Sequence, residues 1–186
     1  ERHFYPAAKL AAERGLQLEA LLKPFVATID GSDVRLALAV CEDLWEDEYN
    51  TKPSRIYSYL TDLLIDISSS PWTAEKWHAR DEMLRRRAKD AGCPILYVNI
   101  VGLQNNAKNL VWFDGGSCFI DAAGEFRWRP EAHAEGSYLV RLNPDGAMGP
   151  VISHTKGTEE LHGALIAAMR EFLAPFKRIV IGLSGG

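Results

Sequence analysis

Cys41 has the setting of a thiol that could do covalent chemistry. The apolar run Val34–Val40 ends there and gives way to Glu42-Asp43-Leu44-Trp45. A strand end aims a side chain out of a sheet, and the next backbone N–H, that of Glu42, can hold an oxyanion. Those are the geometric needs of a thiol nucleophile in acyl transfer. The competing reading is a small buried hydrophobe, the commoner fate of cysteine. Cys93 and Cys118 lack such a setting and serve as internal comparisons. Glu42 and Asp43 read equally well as solvated loop acids, and the run Glu46-Asp47-Glu48 is expected to be solvated. Arg85-Arg86-Arg87 is likewise expected to be a solvated basic face. The five histidines are scattered, with no pair at metal-ligand spacing and no Cys–His dyad. At the far end, Ser184-Gly185-Gly186 follows Ile179–Leu183. Glycines after a strand let backbone N–H groups approach phosphate, although any tight turn would look the same.

The elements that must position these residues alternate in type. Pro6–Gly15 reads as a short helix. Phe25–Ile29 and Val34–Val40 flank Asp30-Gly31-Ser32-Asp33, which predicts a hairpin. The second of these runs suits an interior strand covered on both faces. A helix starting at Pro53-Ser54, with Ile56, Tyr59, Leu60 and Leu63 on one face, precedes a strand Leu63–Ile67. A longer helix from about Ala74 to Ala91 presents Trp77, Leu84, Ala88 and Ala91, and is closed by Gly92 and Pro94. Ile95–Val101 is a buried-type strand, and Gly102–Asn109 reads as a loop. Val111–Phe113, Ser117–Asp121, Glu125–Trp128 and Ser137–Leu142 read as short strands. A Gly- and Pro-rich stretch, Asn143–His154, is the candidate domain boundary. Beyond it come a helix from Glu159 to Leu173 with Thr158 as N-cap, an apolar stripe (Leu161, Leu165, Met169, Phe172, Phe176), and a strand Arg178–Leu183. Such an order implies a layered α/β or α+β fold.

Composition bounds the function without choosing it. With 186 residues the chain can bury a real core, and 47% hydrophobic with 25% charged residues is ordinary for a globular domain. A net charge of −4 gives no electrostatic reason to expect nucleic acid or an anionic membrane as partner. No apolar stretch approaches the roughly 20 residues that span a bilayer. Three cysteines, an odd number, suit reduced thiols, so a soluble cytoplasmic protein is expected. Both ends look cut, and the chain reads as a fragment.

Five segments in order then resemble one family. Val40-Cys41-Glu42-Asp43-Leu44-Trp45 resembles the nucleophile segment of the glutaminase domain of glutamine-dependent NAD synthetases, within the nitrilase (carbon–nitrogen hydrolase) superfamily. Ser68-Ser69-Ser70-Pro71-Trp72 is similar to the family's Ser-x-Ser-Pro-aromatic stretch. Lys76, Arg80 and Met83-Leu84 follow at family-like spacing. Tyr97-Val98-Asn99 leads to Gly102, Gln104 and Phe113-Asp114-Gly115-Gly116-Ser117. Ile181-Gly182-Leu183-Ser184-Gly185-Gly186 resembles the start of the pyrophosphatase loop that opens the synthetase domain.

The resemblance implies an α+β fold, a four-layer α-β-β-α sandwich incomplete at its start. It places a glutaminase domain over 1–142, a linker over 143–158 and the beginning of a synthetase domain over 159–186. It implies a Glu-Lys-Cys catalytic set in which Cys41 attacks the side-chain amide of L-glutamine and the Glu42 N–H helps hold the oxyanion. Ser70 and Lys76 resemble the positions that bind the α-amino and carboxylate end of glutamine, and Trp45 a pocket wall. Ammonia would pass to a synthetase site where ATP, with Mg2+, activates nicotinic acid adenine dinucleotide. Gly182, Leu183, Ser184, Gly185 and Gly186 would belong to the ATP loop. The glutaminase part itself needs no cofactor, and a homo-oligomer is expected by resemblance only. The family's general-base Glu and its Lys fall upstream of Glu1, so these residues alone are expected to be inactive on glutamine. Asp66 stands where the family pattern has Asn, Glu75 where it has Gly, and Asn105-Asn106-Ala107-Lys108 lengthens a loop. The rival readings are a free-standing nitrilase-type amidase and a non-catalytic scaffold.

Overall fold

The computed structural model describes residues 7–105, 109–141, 149–183 and 185. A short helix α1 (Ala7–Glu13) precedes the hairpin β1 (Phe25–Ile29) and β2 (Ser32–Val40). A 3-10 turn over Cys41–Leu44 follows at once, then α2 (Pro53–Ile56), β3 (Leu63–Ser68) and the long α3 (Lys76–Ala91). Next come β4 (Ile95–Asn99), β5 (Val101–Asn105), β6 (Leu110–Asp114), β7 (Cys118–Ile120), β8 (Phe126–Trp128) and α4 (Gly157–Leu173).

Six strands form one sheet in the order β1-β2-β3-β4-β7-β8, and β5 pairs with β6 apart from it. The neighbours β2, β3 and β4 run parallel, joined by crossovers that contain α2 and α3. This puts the ends of β2, β3 and β4 at one edge, where Cys41, Ser68 and Asn99 sit. Helix α3 covers one face. Met83, Leu84, Ala88 and Ala91 pack on Ala37, Ala39, Leu64, Ile95, Tyr97 and Ile120. Gly92 closes α3 in the left-handed conformation (φ 63°), as a C-terminal glycine should. Mixed strands with helices segregated to one face make the fold α+β.

Several expectations are corrected. Strand β2 is covered on one face only: Ala37 and Ala39 are buried, whereas Leu38 and Val40 are exposed, as are Ile67 and Val98 on β3 and β4. Helix α2 stops at Ile56, short of Tyr59, which is left-handed (φ 60°), and Tyr59 and Leu60 are exposed. The expected loop 102–109 begins instead as β5, whose Val101–Asn105 pair in register with Leu110–Asp114; residues 106–108 lie outside the described residues. Residues 137–141 form no strand, and Leu142 is not among the described residues. Helix α4 starts earlier than expected. Lys156 is its N-cap, so Thr158 lies inside it. Its stripe (Leu161, Leu165, Met169, Phe172) and the following Phe176 are exposed, while Glu160 and Ala164 are buried. The helix packs on the β5–β6 hairpin, with Trp72 Nε1 donating to Glu160 at 3.1 Å and the Leu103 N–H to Glu171. Residues 178–183 are extended but pair with no described strand, and Val180 is 97% exposed. No described helix is long and apolar enough to cross a membrane.

Candidate active site

The sheet delivers Cys41 to the point where β2 turns into the 3-10 helix. Its backbone is left-handed (φ 46°), which a non-glycine residue adopts only when its surroundings hold it there. Asp43 does part of this, since its Oδ2 accepts the Val40 N–H at 3.0 Å. Cys41 is half-buried, whereas Cys93 and Cys118 are buried. Burial pushes the Cys93 thiol up to about 11 and the Cys118 thiol up to about 12, so neither is a ready source of thiolate. The side chain of Glu42 accepts a hydrogen bond from the Tyr49 hydroxyl, which leaves its backbone to serve the turn. Trp45 packs half-buried against the core cluster beside this turn.

Lys76 and Ser70 reach the same edge from the next crossover. Ser70 is buried. Its N–H donates to Asn99 Oδ1 at 2.8 Å and its carbonyl accepts from Asn99 Nδ2 at 3.1 Å. Asn99 Nδ2 also reaches the Gly115 carbonyl at 2.8 Å, so one amide joins the two loops. Lys76 opens α3, and its Nζ donates to the Pro71 carbonyl at 3.0 Å. Burial, and next the Arg80 charge, hold the Lys76 ammonium below the ordinary lysine range; Cys41 and Asp114 pull it back up. That Cys41 acts on Lys76 places both in one neighbourhood. Glu75, ahead of Lys76, is left-handed (φ 62°), a conformation natural to the glycine of the family pattern and strained for glutamate.

Two positions outside the expected set of catalytic and binding residues stand out. Arg80 is buried and grips Asp114 with both terminal nitrogens, at 3.1 and 2.9 Å, while its Nη1 also donates to Gly115 O at 3.2 Å. Gly116 follows with φ 71°, and a Cβ there would overlap Arg80 Nη1. We therefore expect Gly116→Ala to cost about 2 kcal/mol, from backbone strain and displaced packing together, as read by urea denaturation. An unchanged midpoint would contradict this account of the turn. The second is Asp66. It lies fully buried on β3 opposite Ala39, two residues before Cys41. Ser68 Oγ donates to its Oδ2 at 2.6 Å, while Oδ1 completes no hydrogen bond of full geometry. Burial pushes this carboxyl up to about 7; the nearby Asp43 charge adds to the rise, and Ser68 and the Cys41 N–H oppose it.

The structure thus brings Cys41, Glu42, Trp45, Ser70 and Lys76 to one edge of the fold. It does not bring Gly182, Leu183 or Gly185 there: all three are exposed, and Ser184 and Gly186 lie outside the described residues. Of the acids and arginines expected in solvent, Asp47, Glu48 and Arg86 are exposed as expected, and two are corrected. Glu46 and Arg87 are buried, and Arg86 pairs with Asp47 at 2.9 Å. A signal for the arginines was available. Arg80 and Arg87 fall seven residues apart in the same helical stripe as Met83, Leu84, Ala88 and Ala91, where a charge must be paired.

Comparison with known proteins agrees with this fold. A family described as carbon-nitrogen hydrolase matches residues 2–146. The chain is 29% identical over 170 residues to a glutamine-dependent NAD(+) synthetase of Synechocystis, a match that covers 83% of the chain and 29% of the relative. It is 32% identical over 160 residues to one of Xylella fastidiosa, with 82% of the chain and 28% of the relative covered. The chain therefore spans under a third of the length of these relatives. Among solved structures, the glutamine-dependent NAD+ synthetase of Acinetobacter baumannii in complex with ADP superposes with a TM-score of 0.66 at 23% identity, over 82% of this chain and 28% of that one. With the family match spanning most of its length, the chain belongs to the carbon–nitrogen hydrolase family.

Proposed function

We propose that the chain is the glutaminase part of a glutamine-dependent NAD synthetase, and that Cys41 is its nucleophile. The observation that carries this reading is the left-handed Cys41 at a strand end, followed by the 3-10 turn that contains Glu42 and sharing its neighbourhood with Lys76. The Cys41 sulfur attacks the side-chain amide carbon of glutamine, and the carbonyl oxygen becomes an oxyanion facing the Glu42 N–H. The C–N bond breaks, ammonia leaves with the proton transferred to it, and a thioester remains on Cys41. Water then cleaves the thioester to glutamate and restores the thiol. Ser70 and Lys76 hold the amino acid end, and Trp45 walls the pocket.

That this chemistry serves a synthetase is supported by the names of the relatives, and the rest of the reading follows from the resemblance alone. Ammonia is used at a second site where ATP, with Mg2+, activates nicotinic acid adenine dinucleotide, in a cytoplasmic homo-oligomer whose synthetase region begins at about residue 159. Space around Gly182 and Gly185 is open, and these residues form no phosphate cradle by themselves, so the glutaminase chemistry is derived without ATP.

The test of the binding assignment is Lys76→Met in the protein expressed from its full coding sequence. Loss of a charge-assisted bond to the substrate carboxylate should raise KM for glutamine by roughly 10- to 100-fold, with kcat changed less. A variant with wild-type KM would remove Lys76 from the site. Faster hydrolysis of simple aliphatic amides than of glutamine by the unmodified protein would favour a free-standing amidase instead.

A further inference from the structure

The segment beyond the nucleophile turn is fastened to α3 by Arg87, buried, and by the more exposed Arg86, which pairs with Asp47. Arg87 is 4% exposed. Its Nε donates to the Leu44 carbonyl at 2.8 Å, one terminal nitrogen to Asp47 Oδ1, and the other to Asp90 Oδ2 at 3.2 Å. Glu46, fully buried, stands 3.6 Å from Nε and accepts both the N–H (3.1 Å) and the hydroxyl of Ser54 at the start of α2. Leu44 O is the last carbonyl of the 3-10 turn, an acceptor that helix geometry leaves without a partner. A guanidinium satisfies it with a charge-assisted bond while its planar fork fixes direction. The turn is thus held at its start by Asp43 on the Val40 N–H and at its end by Arg87.

We propose that Arg87 is a positioning residue for the Cys41 chemistry: by holding the Leu44 carbonyl and Asp47 it sets where the Glu42 N–H and Trp45 stand relative to the thiol. This rests on the glutaminase reading above. Cys41 and Leu44 bound one turn of four residues, so a shift at its end is transmitted to the oxyanion donor one residue past the nucleophile. The bond to Leu44 O ties the buried charge to the catalytic turn; Asp47 and Asp90 alone would balance it.

The experiment compares Arg87→Lys, Asp47→Asn, Asp90→Asn and Cys41→Ala in the protein expressed from its full coding sequence. Lysine keeps the charge and loses the fork. Arg87→Lys should lower kcat for glutamine hydrolysis by about 10- to 100-fold, the cost of a misplacement near 1 Å, and ammonia-supported synthesis should be unchanged. KM should move by less than about threefold, because Ser70 and Lys76, which hold the amino acid end, lie outside the turn that Arg87 holds. Asp47 is about half exposed, so Asp47→Asn should fold and show a smaller loss in the same parameter even if Arg87→Lys does not fold. Asp90→Asn, which touches Arg87 but not the turn, should leave kcat within about twofold. Wild-type kcat in both Arg87→Lys and Asp47→Asn, or a parallel fall of the ammonia-supported rate, would overturn the inference. If Cys41→Ala still hydrolyses glutamine, the assignment of Cys41 as nucleophile is wrong and the inference falls with it.

Discussion

Cys41→Ala should abolish glutamine hydrolysis, lowering kcat by roughly four orders of magnitude or more, the scale seen when a covalent nucleophile is removed. Ammonia-supported synthesis by the same protein should persist, because only the ammonia source is lost. The size of the effect follows from the absence of a substitute. Cys93 is 3% exposed and Cys118 fully buried, and burial holds both thiols far above neutral pH. Neither stands where a strand runs into a 3-10 turn. Release of glutamate, measured with and without ATP, is the readout. Glutamine hydrolysis by Cys41→Ala at more than a hundredth of the wild-type rate would point to water attack or to another nucleophile. Unchanged glutamine-supported synthesis would favour the non-catalytic scaffold.

The second large effect concerns stability and belongs to Asp66. Its folded carboxyl is raised to about 7 chiefly by burial, against 3.8 for an ordinary aspartate. Between those values the folded state holds a proton that the unfolded state has released. Stability therefore falls as pH rises from about 4 to about 7 and is flat above. Three pH units at about 1.4 kcal/mol each make the loss about 4 kcal/mol. Asparagine does not titrate and can keep both contacts, its oxygen toward the Cys41 N–H and its amide donating to the Ser68 hydroxyl, which then accepts where it donated to Asp66. We therefore expect the stability of Asp66→Asn relative to wild type to grow by about 4 kcal/mol from pH 4 to pH 8, measured by denaturant unfolding at each pH. A difference independent of pH would mean that Asp66 is charged and partnered throughout.

The order of these elements was largely legible in the sequence because local signals and burial agreed. Asp30-Gly31 made the hairpin, Gly92 ended α3, and the runs at β3 and β4 were apolar enough to be interior strands. Cys41 was legible as a residue at a strand end, but its left-handed backbone was not, since that conformation comes from Asp43 and from the packing of the turn. The misreadings share a cause. Glu46 and Arg87 look solvated one at a time, and only their meeting across 41 positions of chain allows both to be buried. Tyr59 and Leu60 fit a helical stripe, yet the turn after Ile56 was decided by the start of β3. The α4 stripe is apolar as read, yet it faces outward, because Glu160, Ala164 and Glu171 make the contacts with the rest of the chain.

The most direct test of the central claim is to label the protein with a glutamine analogue carrying an electrophilic diazoketone in place of the amide, and to locate the adduct by peptide mass spectrometry. The account predicts a single adduct, on Cys41, that glutamine suppresses in competition and that Cys93 and Cys118 never carry. Labelling of Cys93 or Cys118, or labelling of Cys41 that glutamine does not slow, would contradict it.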